Sequence, residues 1–167
     1  WIILQTHSFM TSLRQPTVEE VRLQTWLSLV EGAKGLIYFT YHTQQGWTGL
    51  EEGGELMDEA ARLTRLFKPH AELLLKLRPE PAHLIGGSPY VEAPESDPRV
   101  TLDGFHARLH RHPESGERYL LIANPDVEHA QTLRLPRDYP FTNVLTQRPV
   151  RNKLLVEPGG GVFLRLD

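Results

Sequence analysis

Five residues at the ends of two apolar runs have types suited to holding a ligand: Gln5 and His7 at the end of WIIL, and Tyr41, His42 and Trp47 after the run GLIYFT. Tyr and Trp offer flat apolar ring faces, and Gln and His can donate or accept hydrogen bonds at their edges. A neutral His42 could also assist proton transfer near pH 7. The alternative is structural, with Tyr41 and Trp47 capping the core beneath them and the histidines fixing loops. Glu51 and Glu52 lie in the same Gly-rich stretch, where acids also suit the start of a helix. His106, His110 and His112 alternate along a third segment. His110 and His112 have metal-pair spacing, but no cysteine is nearby and Arg108 shares the face, so a solvated strand face is expected there.

The elements that must position these residues are legible locally. Thr17 followed by Glu20 is a capping box, and Pro16 precedes it. Leu23, Trp26, Leu27 and Val30 recur at helical spacing, with Glu19, Glu20, Arg22, Gln24 and Ser28 on the other side. Gly32 supplies the stop. The run from Gly35 to Tyr41 shows no polar alternation and suits a strand buried on both faces of a parallel sheet, with WIILQT as its parallel neighbour. The loops after both strands then open on one side, which in parallel α/β folds is the side that binds ligands.

From Glu55 to Leu77 the pattern is helical, broken at Pro69, which predicts one helix to about Lys68 and another from about Pro69. Residues 78–98 are rich in Pro and Gly and mark a boundary. Beyond it the period becomes two: Phe105, Ala107 and Leu109 alternate with polar residues, HPESGE makes a turn, and Arg118–Ala123 reads as a central strand. Short strands follow near Leu133, Val144, Leu154 and Val162, a spacing that suggests an antiparallel sandwich. Asn124 and Pro125 read as a turn.

At 167 residues, 40% hydrophobic and 23% charged, the chain can bury a sizeable core. Its net charge of −3 gives no electrostatic reason to expect nucleic acid or an anionic membrane as partner. The absence of cysteine excludes disulfides and thiolate chemistry. No apolar run approaches the roughly 20 residues of a membrane span. The chain begins directly in strand-like sequence at Trp1, as expected of a C-terminal piece of something longer.

The stretch PTVEEVRLQTWLSLVEGAKGLIYFTY resembles the last repeat of the (β/α)8 barrel in glycoside-hydrolase-like proteins. LTRLFKPHAELLLKL resembles the closing helices, and RYLLIANPDVEHAQTLRL with GGGVFLRLD resembles the C-terminal β-sandwich such enzymes often carry. The resemblance implies an α/β plus all-β chain: residues 1–80 as the last two β/α units of a TIM-type barrel, 81–98 as linker and first sandwich segment, and 99–167 as an antiparallel sandwich. A whole barrel needs about 250 residues, so the partners implied are the rest of the barrel and a carbohydrate, with no cofactor and no metal.

Glycosidases of this class use two carboxylates, typically at the ends of the fourth and seventh strands. If WIILQT is the seventh, its end carries Gln5, Thr6 and His7 and no acid. The function expected is therefore one side of a sugar-binding cleft plus a bracing β-domain, with Gln5, His7, Tyr41, His42 and Trp47 binding the ligand. The other open reading is a non-catalytic carbohydrate-binding or structural interaction module.

Overall fold

The computed structural model describes residues 1–52, 54–80, 104–135, 140–151 and 153–167. In chain order the elements are β1 (Ile2–Gln5), β2 (Ser8–Phe9), α1 (Val18–Val30), β3 (Leu36–Phe39), β4 (Trp47–Thr48), α2 (Glu55–Phe67), α3 (Ala71–Lys76), β5 (Arg78–Pro79), β6 (His106–Arg111), β7 (Arg118–Ala123), β8 (Gln131–Arg134), β9 (Phe141–Asn143), β10 (Arg148–Val150), β11 (Lys153–Val156) and β12 (Gly161–Leu166). β1 and β3 pair in parallel across α1, while an antiparallel sheet runs in the order β10-β9-β12-β7-β6-β5 and β8 pairs with β11 in a separate ribbon. The stretch expected as linker and first sandwich segment, 81–98, falls outside the described residues.

Two barrel units followed by a sandwich are not what these residues form. Among the described residues a single parallel crossover is present, and most of the strand content lies in the six-stranded antiparallel sheet. The physical reason is where the helices put their apolar faces. Trp26, Leu29 and Val30 of α1 and Leu63 and Phe67 of α2 share one core with Tyr119, Leu121 and Ala123 of β7 and Phe163 of β12. The opposite sheet face, through Leu120, Ile122, Val162 and Leu164, packs on Leu133 and Val156 of the two-stranded ribbon. The sheet is thus a middle layer between helices and a ribbon, without a second sheet of comparable size among the described residues. β7, buried at every position but its first, is its centre.

Local signals act as read. Thr17 Oγ1 accepts from Glu20 N (3.2 Å) and Glu20 Oε2 accepts from Thr17 N (2.8 Å), completing the capping box. Arg14 adds a fork onto the same carboxylate. With Arg14 and the Thr17 amide as donors, the Glu20 pKa falls to about 2. Pro69 sits in a short 3-10 turn between α2 and α3, where its missing N–H costs nothing.

The buried stripe of α1 differs from the periodic one: Val21, Thr25 and Leu29 are buried, and so is Arg22. Arg22 Nε donates to Glu59 Oε1 (2.6 Å) and Nη1 to Pro158 O (2.8 Å), tying α1 to α2 and to the turn before β12. Arg62 supplies two more bonds to Glu59. Burial pushes the Glu59 pKa up, but the bonds from Arg62 and Arg22 outweigh it and the net shift is downward. Removing one member of such a buried cluster leaves an uncompensated charge, which is costly.

The close approach of α1 to the sheet depends on two glycines. A Cβ at Gly159, which has φ +62°, would strike the Glu19 carbonyl, and one at Gly161 would enter the Trp26 ring. Replacing Gly161 by Val is expected to lower stability by about 2 kcal/mol through overpacking. Urea unfolding of the variant checks this.

β6 does not present the solvated histidine face that its alternation suggests. His110 is buried, and its Nε2–H donates to the Val30 carbonyl (2.8 Å), satisfying an orphan acceptor at the end of α1. His106 Nε2 (2.7 Å) and Arg108 Nη1 (2.5 Å) both reach the carboxylate of Glu31 at the same helix end. Burial pulls the His110 pKa below 6.5; the Val30 bond opposes this, while Lys34 and Arg108 add to the lowering and Glu31 counters it. The unfolded chain therefore takes up a proton at this site before the folded one does. Stability from this site is present above about pH 6.5 and lost as pH falls below it. The urea midpoint should drop between about pH 7 and pH 5, and His110→Gln, which retains a donor for Val30, should flatten that part of the profile.

Candidate functional site

The loops after β1 and β3 are joined by a small antiparallel ribbon, β2 with β4, in which Ser8 faces Thr48 and Phe9 faces Trp47. This pairing brings His7 and Trp47 together, with ring centroids 4.6 Å apart. His7 is largely buried, and its Nδ1–H donates to the Phe39 carbonyl at 2.8 Å. Its Nε2 is left as the ring's remaining polar atom. Phe9 lies 4.5 Å from Trp47 between centroids, and Phe39 stands edge-on to both His7 and Trp47. The result is a four-ring cluster at the carboxyl ends of the parallel pair. Thr6, buried beside His7 in sequence, has a hydroxyl with no hydrogen-bond partner.

Tyr41 and His42 form a second, more exposed pair, with ring centroids 5.2 Å apart. His42 Nδ1 donates to Glu51 Oε2 at 2.9 Å. Glu51 is itself held: its other oxygen accepts from Thr43 N (2.7 Å) and its backbone N–H donates to Tyr41 O (2.7 Å). Thr43 Oγ1 in turn accepts from Gly49 N. The bond from His42 and then that from the Thr43 amide lower the Glu51 pKa, so Glu51 is a carboxylate at neutral pH. A carboxylate on Nδ1 fixes the imidazole with the proton on that nitrogen and leaves Nε2 outward, able to accept from a hydroxyl or take a proton.

Gln5 is placed differently. Its side-chain Nε2 donates to His7 O and Arg14 O, both at 3.0 Å, which closes the loop of residues 8–14. The structure therefore joins His7 to Trp47 and Tyr41 to His42, while the Gln5 amide holds the loop that carries Phe9. Phe39 stands two residues before Tyr41, so strand periodicity could have found it. Phe9 depends on the pairing of β2 with β4, which no local pattern announces. Glu51 gains its place by reaching back nine positions to His42.

An open groove of about 960 Å³ lies elsewhere, between the starts of α1 and α2, lined by Glu19, Glu55, Asp58, Glu59, Arg62 and Arg65. Its central carboxylate, Glu59, is already held by Arg22 and Arg62 and braces the helices. Among the described residues, no group of three or more His, Asp or Glu side chains could hold a metal ion. No helix among them is long and apolar enough to cross a membrane.

No family model, curated protein or solved structure matches this chain.

Glu51→Ala should release His42 from a single tautomer while leaving the fold intact, since both side chains are on the surface. Nitrogen-15 NMR of the imidazole checks this: the wild type should show the proton on Nδ1, and the variant a mixture dominated by the intrinsically favoured Nε2–H form.

Proposed function

We propose that this chain supplies one side of a carbohydrate-binding site at the carboxyl ends of β1 and β3, as part of a carbohydrate-active, glycoside-hydrolase-like protein. The observation that carries the reading is the exposed Tyr41 ring beside an imidazole held by Glu51, next to the aromatic cluster of His7, Phe9, Phe39 and Trp47. Apolar ring faces with oriented acceptors at their edge suit a pyranose, which has C–H patches and a rim of hydroxyls. In this reading Tyr41 stacks on the sugar, His42 Nε2 accepts from a hydroxyl, and the four-ring cluster forms the floor. Gln5 keeps the first loop in place. The six-stranded sheet braces the parallel pair through α1.

The role is binding and, through His42, proton exchange with a bound hydroxyl. Gln5, Thr6 and His7 at the end of β1 provide no acid, and the carboxylate of Glu51 is engaged with His42. A second reading, a non-catalytic interaction module, is favoured by the apolar face of the parallel pair, where Ile3 and Ile37 are exposed.

Titration of the chain with cello-, xylo- and malto-oligosaccharides, followed by amide NMR shifts, tests the carbohydrate reading. Shifts confined to residues 6–9 and 39–48 with one of them are expected. Tyr41→Ala, an exposed substitution, should weaken binding about tenfold. Unchanged spectra at the strand ends with all three would remove the sugar reading.

A further inference from the structure

We propose that the free edge of β3 takes up an added parallel β-strand, apolar on both faces, from a partner polypeptide. This is independent of the carbohydrate reading. Ile2 N–H donates to Gly35 O and Thr6 N–H to Phe39 O, so odd-numbered residues of this stretch turn their backbone groups to β1. By the alternation of a β-ladder the N–H and C=O groups of Leu36 and Tyr38 point the other way. No strand among the described residues pairs on that side.

Beside this edge runs an apolar groove of about 280 Å³, whose walls include Tyr38, Leu63, Phe67, Ala71, Leu74 and Leu75. Leu75 is 52% exposed at its rim. The groove lies on the helix-covered side of the sheet, the side on which Tyr38 OH meets Thr25 of α1. On the opposite side Ile37 and Phe39, with Ile3 of β1, are uncovered. These two surfaces flank one row of free backbone groups.

That combination selects the occupant. A row of alternating donors and acceptors is satisfied along its length only by extended backbone, and adjacent pockets take alternate side chains of the added strand. A helix has no backbone groups to offer, and a small molecule would fill the groove without pairing the edge. One set of side chains would enter the groove, and the other would continue the Ile3, Ile37 and Phe39 face, so both must be apolar. The parallel sense follows β1, since parallel strands gather in sheets of one direction with both faces covered. Lys34 is unavailable as a counter-charge because its ammonium donates to Leu74 O and Leu77 O.

The test is hydrogen exchange at the Leu36 and Tyr38 amides of the chain, alone and with a short synthetic peptide of alternating valine and leucine flanked by terminal lysines for solubility. Fast exchange alone and saturable protection with peptide are expected. Leu75→Glu at the groove rim and Ile37→Lys on the open face, both at exposed positions, should each weaken the peptide at least about tenfold with unchanged circular dichroism. Slow exchange in the monomeric chain without peptide would overturn the proposal, because the edge would already be paired. Absence of protection at saturating peptide, or equal affinity in both variants, would also overturn it. Protection that rises with chain concentration alongside a dimer mass would assign the edge to a second copy instead.

Discussion

Trp26 lies against Gly161, where any side chain on the strand would displace its ring, and this contact sets how far α1 can approach the antiparallel sheet. Interiors are packed too densely to absorb such a shift cheaply, so the helix, the sheet and everything carried by the helix are fixed together. Arg22 reinforces the same junction by reaching Pro158 O. Gly159 allows the turn to come down on the backbone of α1 at Glu19. At the other end of the helix, His110 and the Glu31 cluster hold α1 to β6. The parallel pair β1–β3 therefore depends for its position on a helix clamped at both ends by a different sheet.

That dependence reaches the strand ends. Gln24 of α1 accepts from the backbone N–H of Gln5, and Tyr38 meets Thr25, so the frame of the loops is read out from the helix. The ribbon of β2 and β4 then ties the two loops to each other. His42 and Tyr41 sit at the exposed margin of this frame, where Glu51 supplies the orientation that packing does not. Packed rings beside pinned polar groups give a surface that is rigid at its base and accessible at its edge.

What the sequence reveals here is mostly what is local. The capping box, the glycine stop, the break at Pro69 and the hairpin of β6 and β7 each depend on residues within a few positions of one another. The identity of the sheet that α1 covers is different, because an apolar stripe does not specify its partner. The periodic stripe also misplaced Arg22, whose burial depends on Glu59 and Pro158, both far away in sequence. His110 read as a solvated residue because its partner is the carbonyl of Val30, 80 positions earlier. At the site, residue types at the two strand ends were legible, but the grouping of His7 with Trp47 and the orientation of His42 depend on the pairing of loops. Asn124, read only as a turn residue, is buried and donates to His129 O, Val156 O and Glu157 O. It knots the end of β7 to the turn that receives α1.

The clamp on α1 also has a bearing on the order in which this chain can acquire structure. The helix and the parallel pair are made before the Pro158 carbonyl, Gly159, Gly161 and Phe163 that hold them, which follow more than a hundred residues later. Contacts this distant in sequence are slow to form, because the intervening chain must be brought back before they contribute. Until then Trp26, Leu29 and Val30 lack the β12 part of the sheet they cover. A nascent chain would carry that apolar face in the open, which is the condition under which a ribosome-associated chaperone or premature association competes with folding.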